Sequence, residues 1–151
     1  MRLSVAVVVI GTLGLAGSAF AADPVLNCPA GTKQLKVFDE GSGSTTYKCT
    51  KTSKGIAGLC HGAFLEQYSN GKTSAQGQCD EGLMTGKWSY FNRDGVKTAE
   101  IEFAKGAYHG TKIEYYPNGQ PQTIETYRDG VRVGDVKAFD VTGKPVQVVT
   151  R

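Results

Sequence analysis

The chain has 151 residues, a formal net charge of +3, 40% hydrophobic and 21% charged residues, and 20 glycines. The length suits one domain of modest size. The charge excess is too small and too evenly spread to argue for nucleic acid or an anionic membrane surface, so nucleic acid is not expected as a partner and membrane-lipid contact is left open without support from charge.

Residues 1–21 read as a bacterial signal peptide. Met1-Arg2 is a short positive start, Leu3 to Leu15 is apolar, and Ala19-Phe20-Ala21 places small residues where a signal peptidase needs them for a cut before Ala22. Periplasmic or secreted placement follows from this reading. An uncleaved anchor and lipidation at Cys28 are the weaker alternatives, because Asn27 stands where lipidation wants a small residue.

Residues 22–58 form a cap segment. Lys33 to Phe38 and Thr45 to Cys49 read as two short strands around the turn-rich Asp39-Glu40-Gly41-Ser42-Gly43-Ser44, and Thr50 to Gly58 as a polar connector. All four cysteines, Cys28, Cys49, Cys60 and Cys79, lie in the first half of the exported part. An even count in a small exported chain points to a disulfide framework. Of the three possible pairings, strand geometry favours Cys28 with Cys49 and Cys60 with Cys79. If Tyr68 faces Lys72 across its loop, Cys79 faces His61, and a one-residue shift brings Cys60 into range.

From residue 59 to 151 the chain repeats every 24 residues. Gly62, Gly86, Gly110 and Gly134 keep this step, as do Gly71, Gly95, Gly119 and Gly143, and Gly82, Gly106 and Gly130 form a third column. Such a period marks an array in which each unit buries its apolar surface only against its neighbours. Each unit reads as strand, tight turn, strand, glycine turn. In Pro117-Asn118-Gly119 the proline suits the first position of a type I turn, and the glycine then closes a three-residue loop in the left-handed region. Short turns force antiparallel neighbours, so the expected fold is all-β: an elongated single-layer antiparallel meander of hairpin repeats, preceded by a disulfide-linked hairpin cap.

Aromatic residues recur by column: Phe91, Tyr115 and Phe139; Phe103 and Tyr127; and, on the face opposite the first set, Phe64 and Trp88 with Val136. Such ladders stabilise a sheet by roughly 0.2 to 1 kcal/mol per neighbouring pair. Trp88, Tyr90 and Tyr108 are the candidate anchors of a docking surface, since tryptophan and tyrosine are enriched where partners bind. His61 and His109 precede repeat glycines and read as turn histidines facing solvent. Glu100 and Glu102 share a face, where Glu114 is expected to join them with Lys97 and Lys112 as ion-pair partners. No phosphate loop, nucleophile elbow or metal-ligand spacing is present in the sequence. The expectation is therefore of a non-enzymatic chain without cofactor or metal.

The stretches Gly86-Lys87-Trp88-Ser89-Tyr90-Phe91-Asn92-Arg93-Asp94-Gly95 and His109-Gly110 through Tyr115-Tyr116-Pro117-Asn118-Gly119-Gln120 resemble the bacterial variant of the MORN repeat, as does Tyr127-Arg128-Asp129-Gly130. The resemblance covers about residues 61 to 149. Cys28-Pro29-Ala30-Gly31-Thr32 is similar to a segment found ahead of such repeats in exported bacterial proteins. The resemblance implies an elongated single-layer sheet used for interaction and carries no catalytic residue. Some bacterial relatives are classed as antitoxin components, and eukaryotic ones are linked to membrane phospholipids and self-association. The leading expectation is a cell-envelope interaction module or scaffold that binds a protein, a second copy of itself included. An immunity or antitoxin protein, and a cell-wall glycan-binding or hydrolytic protein, are the alternatives.

Overall fold

A computed structural model describes residues 22–52 and 58–147. The expected signal peptide, most of the connector and the end of the last expected strand lie outside the described residues. The described part is all-β, without a helix, and forms one open sheet. Its strands are β1 (Thr32–Phe38), β2 (Thr45–Lys51), β3 (Cys60–Gln67), β4 (Thr73–Asp80), β5 (Leu83–Phe91), β6 (Lys97–Ala104), β7 (Ala107–Tyr115), β8 (Pro121–Arg128), β9 (Val131–Arg132), β10 (Lys137–Phe139) and β11 (Pro145–Val146). Strands lie side by side in chain order from β1 to β8, then β10 and β11, with β9 also on β8. Every pair is antiparallel, and from β3 to β8 the two- and three-residue turns leave no room for a crossover.

Two kinds of turn alternate. After β3, β5, β7 and β10 comes the expected three-residue loop: the amides of Gly71, Gly95, Gly119 and Gly143 donate to the carbonyls of Tyr68, Asn92, Tyr116 and Asp140, and each glycine is left-handed, with φ between 79° and 84°. After β4, β6 and β8 the turn has two residues, Glu81-Gly82, Lys105-Gly106 and Asp129-Gly130, all six with positive φ. Their twist matches that of the flanking strands, as hairpins of this length require. The glycine amide of each two-residue turn also reaches one unit back: Gly82 N donates to Cys60 O, Gly106 N to Met84 O and Gly130 N to Tyr108 O, at 2.8–2.9 Å.

The other rim is stitched by side chains, and there the period is 48 rather than 24. Tyr68 Oη donates to Phe91 O and Asn70 Nδ2 to Arg93 O; Tyr116 Oη donates to Phe139 O and Asn118 Nδ2 to Val141 O. In the second and fourth loops Asn92 and Asp140 instead turn their Oδ1 onto amides of their own loop. The rim is thus tied first to second and third to fourth.

The column Gly62, Gly86, Gly110 sits inside strands rather than at bends. Each glycine has positive φ and lies where two extra residues are accommodated, between Lys48 and Thr50, Gln76 and Gln78, or Ile101 and Phe103 of the preceding strand. These are bulges, and they bend the sheet without breaking it. The cap also differs from expectation: β2 pairs directly with β3, and Thr50, expected in the connector, is a buried β2 residue.

Both expected disulfides are present, Cys28–Cys49 and Cys60–Cys79, with Cα separations of 5.4 and 5.5 Å, and no described cysteine is free. The register behind the second pairing differs, however. A shift between Glu66 and Gln67 sets Cys79 opposite Gly62 instead of His61, and the bulge at Gly62 brings Cys60 to its partner.

Gly95→Val and Gly119→Val place a β-branched side chain in the left-handed region. Each is expected to lower stability by more than about 1 kcal/mol, read as a lower melting temperature by circular dichroism.

Candidate functional site

The pleat gives the sheet two unlike faces. Phe64 is opposite Gly77, Trp88 opposite Ile101, Ile101 opposite Lys112, and Lys112 opposite Glu125, so these side chains form one row across six strands of a single face. A second row on that face carries Ala75, Tyr90, Ala99 and Glu114. Beside the Cys60–Cys79 bridge, a third carries Met84, Phe103, Tyr108 and Tyr127.

The rings form a connected ladder. Centroids are 5.0 Å apart for Phe64–Trp88, 6.4 Å for Trp88–Tyr90, 6.3 Å for Trp88–Phe103, and 5.1 Å for both Phe103–Tyr108 and Tyr108–Tyr127. Three of these contacts are edge-on, the geometry that aligns a ring's positive edge with its neighbour's negative face. All three candidate anchors therefore lie on one face, in one ladder. Their exposure differs. Trp88 is only 4% exposed, whereas Tyr90 and Tyr108 are half-buried with part of each ring open.

Trp88 is buried in a single-layer sheet because Gly77 lies directly beneath its indole. A Cβ at Gly77 would overlap the ring, and the indole Nε1 donates to Gln78 O at 2.9 Å. The corresponding positions in later units hold Ile101 and Glu125, so this seat exists once. Two clefts meet over it and share Glu66, Ala75 and Tyr90. One, about 430 Å³, runs over Phe64, Trp88, Met84 and the second disulfide; the other, about 600 Å³, leads past Tyr68, Ser74 and Arg93. Burial raises the Tyr90 hydroxyl pKa, so the group stays neutral over the physiological range.

Further along the same face the ladder gives way to charge. Lys112 stands where Trp88 stands one unit earlier, 2.9 Å from Glu114 and 3.2 Å from Glu125, and Arg132 also reaches Glu125. Burial works to raise the Glu125 pKa, but hydrogen bonds from Tyr127 and Lys112 prevail and lower it. The Lys112 hydrogen bond lowers Glu114. Lys112 itself is raised, its carboxylate partners outweighing its desolvation.

The opposite face is polar and partly covered. Lys87 and Lys97 hold Glu100 at 2.8 and 3.0 Å and lower its pKa, and Glu102 accepts from Thr111 N. Glu114, expected beside them, is on the aromatic face, because it opposes Ala99 rather than Glu100. Over β2 and β3 this face is overlaid by residues 23–29, anchored by Cys28–Cys49. Asp23 binds Lys36 and accepts from Tyr47 Oη, and Pro29 packs on Gly62.

Neither histidine is in a turn. His61 lies in β3 with Nδ1 2.9 Å from Asp80 Oδ1 and 3.8 Å from Glu81 Oε1, although off the hydrogen-bond direction. Lys51 also binds Glu81, so the chain's own ammonium neutralises this cluster. His109, in β7, is 3.2 Å from Asp129. The carboxylates with displaced pKa values, including Glu81, Glu100, Glu114 and Glu125, are displaced downward, away from the raised value a general acid needs near neutrality.

Residues 108–129, from Tyr108 in β7 through the Asn118-Gly119 loop to the end of β8, match the MORN repeat variant family. This segment is similar to a single MORN repeat. The matched unit has the same loop bonds as its neighbours 24 residues away on either side. MORN repeats are generally protein- or membrane-binding modules, typically without catalytic activity. No curated protein matches the chain. The two disulfides are consistent with an oxidising compartment.

Sequence reasoning missed the seat at Gly77 and the charged end of the aromatic face. Both had a signal in the columns: glycine where isoleucine and glutamate follow, and lysine where tryptophan precedes.

Gly77→Ala overpacks the indole seat. A loss of about 1–3 kcal/mol is expected, together with a red-shifted emission from Trp88, the sole tryptophan, read by fluorescence. The ion cluster gives a pH dependence. Glu114 and Glu125 have folded pKa values below the unfolded value of about 4.3, so their contribution is complete above that pH and is lost as pH falls through the folded values. Glu125→Gln should flatten the decline in melting temperature below about pH 4.3.

Proposed function

We propose that the chain is a non-enzymatic, exported binding module of the periplasm or extracellular space, which uses its aromatic face to hold a protein partner. The observation that carries this reading is the ladder itself. Phe64 and Trp88 make a preformed apolar floor, with Tyr90 and Tyr108 open beside it. Rigid rings with polar tips supply large contact area at low entropic cost, and a floor already packed needs no rearrangement on binding.

The asymmetry of the faces supports the same reading. Residues 23–29 occupy the polar face over β2 and β3, while over these strands and β4–β5 the clefts beside Trp88 stay open. Specificity would come from the polar groups at the rim, Glu66, Ser74 and Arg93. The first 21 residues of the sequence and the two disulfides support export.

Crosslinking in the native envelope, compared between the wild-type chain and a Tyr90→Ala/Tyr108→Ala variant of unchanged circular dichroism, tests the assignment. A specific crosslinked protein should appear with the wild type and be lost with the double variant. Equal recovery with both chains would place the binding surface elsewhere.

A further inference from the structure

Among the described residues the first strand is the one long edge of the sheet, and its register is unbroken where its neighbours' registers shift. β1 has seven residues, pairs only with β2 among the described strands, and keeps a constant register throughout, whereas the pairs from β2–β3 to β7–β8 each contain a register shift. A long unbulged edge is a template for another strand. Its side chains are exposed, with Leu35 at 40%, Val37 at 44% and Phe38 at 61%. Leu35 opposes Lys48 and thus shares the aromatic face; Lys36 opposes Tyr47 and lies on the other.

The backbone shows which groups are free. Asp39 N donates to Ser44 O in continuation of the β1–β2 register, so odd-numbered residues bond inward to β2. By alternation, the amides and carbonyls of Gln34, Lys36 and Phe38 point outward. We propose that a second copy of this chain pairs with this edge, β1 against β1 about a two-fold axis through Leu35.

Charge and alternation select that register. A two-fold pairing that keeps each face on its own side must centre on a residue, not between two. Centring on Leu35 makes Gln34 and Lys36 of opposite copies exchange both backbone hydrogen bonds, and the two Leu35 side chains meet at a close, non-hydrogen-bonded pair, with Cα atoms about 4.5 Å apart. Lys33 then faces Val37 of the other copy and lies diagonal to its Asp39. Lys36 faces Gln34 and keeps its own Asp23 at 2.7 Å. Centring on Lys36 would oppose two ammonium groups directly, and centring on Gln34 would oppose Lys33 to Leu35 and separate the leucines. The favoured register makes an apolar strip of Val37, Leu35, Leu35 and Val37, and an isologous contact closes at two copies. The Leu35 strip lies on the same face as Tyr90 and Tyr108 but four and six strands away, so it is tested by different variants from the partner proposed above.

Sedimentation equilibrium on the purified protein tests the pairing. The wild type should shift from monomer to dimer with rising concentration. Leu35→Lys, which sets like charges face to face, should remain monomeric with an unchanged circular dichroism spectrum. Val131→Lys, at an exposed valine on β9, should dimerise like the wild type. The register is read separately: oxidised Leu35→Cys should give a symmetric 35-to-35 crosslink by mass spectrometry, and Gln34→Cys should not crosslink to itself. A wild type that is monomeric throughout, a dimer indifferent to Leu35→Lys, one dissolved by Tyr90→Ala, or a symmetric crosslink at position 34 would each overturn the proposal.

Discussion

A one-layer sheet has no second layer to pack against, so its order depends on how each hairpin is fastened to the one before. Beside the β4–β5 and β6–β7 ladders, part of that fastening is a repeated backbone bond: the glycine amide of every two-residue turn donates to a carbonyl 22 residues earlier, from Gly82 to Cys60, Gly106 to Met84 and Gly130 to Tyr108. The bond demands positive φ at two successive residues, and Glu81, Lys105 and Asp129 accept it with φ near 50°. Such a conformation is costly for a residue with a Cβ and persists only where its surroundings hold it. Because the bond joins main-chain groups, it sets no requirement on side-chain chemistry at the first turn position beyond acceptance of positive φ. That freedom lets glutamate, lysine and aspartate all stand there while the 24-residue step stays constant.

With the step fixed, side chains are free to differentiate the units. At the first two, the aromatic face is built on a single indole seated over Gly77 and flanked by a disulfide. By the third, the same row holds an ammonium between two carboxylates. One half of the face thus offers ring surface and the other an internally neutralised charge cluster. The proposed docking surface centres on the first half, where the described clefts meet, and runs along the ring row to Tyr108 in the third unit. The cap extends the sheet by two strands and lays residues 23–29 over the reverse side, leaving the aromatic side to solvent.

Much of this was legible in the residues. Glycine columns at a constant step indicated hairpins, Asn-Gly and Asp-Gly the left-handed loop position, and cysteine placement both disulfides. Aromatic columns put Trp88, Tyr90 and Tyr108 on one ladder. What was not legible depends on local register. Gly62, Gly86 and Gly110 look like turn glycines in the sequence, and only the ladder shows them to be strand bulges, whose two extra residues leave the facing on either side unchanged. The one-residue Glu66/Gln67 shift moved Cys79 from His61 to Gly62, whereas Glu114 faces away from Glu100 because the turn pairs Ala104 with Ala107 and the two-residue bulge keeps that parity. A period of two carries no memory of an inserted residue, so facing inferred across a one-residue shift fails. The 48-residue alternation was visible in Tyr68 and Tyr116, and in Asn70 and Asn118, but the bonds that give it meaning run between loops.

Amide hydrogen exchange of Gly82, Gly106 and Gly130 tests the fastening most directly. Amides at the tips of two-residue turns ordinarily face water and exchange quickly, whereas here each should be protected to a degree comparable with the amides of Trp88 and Ile101 in the adjoining strands. Exchange of all three at the rate of an open loop, with the strand amides protected, would mean that successive hairpins are not joined through these bonds.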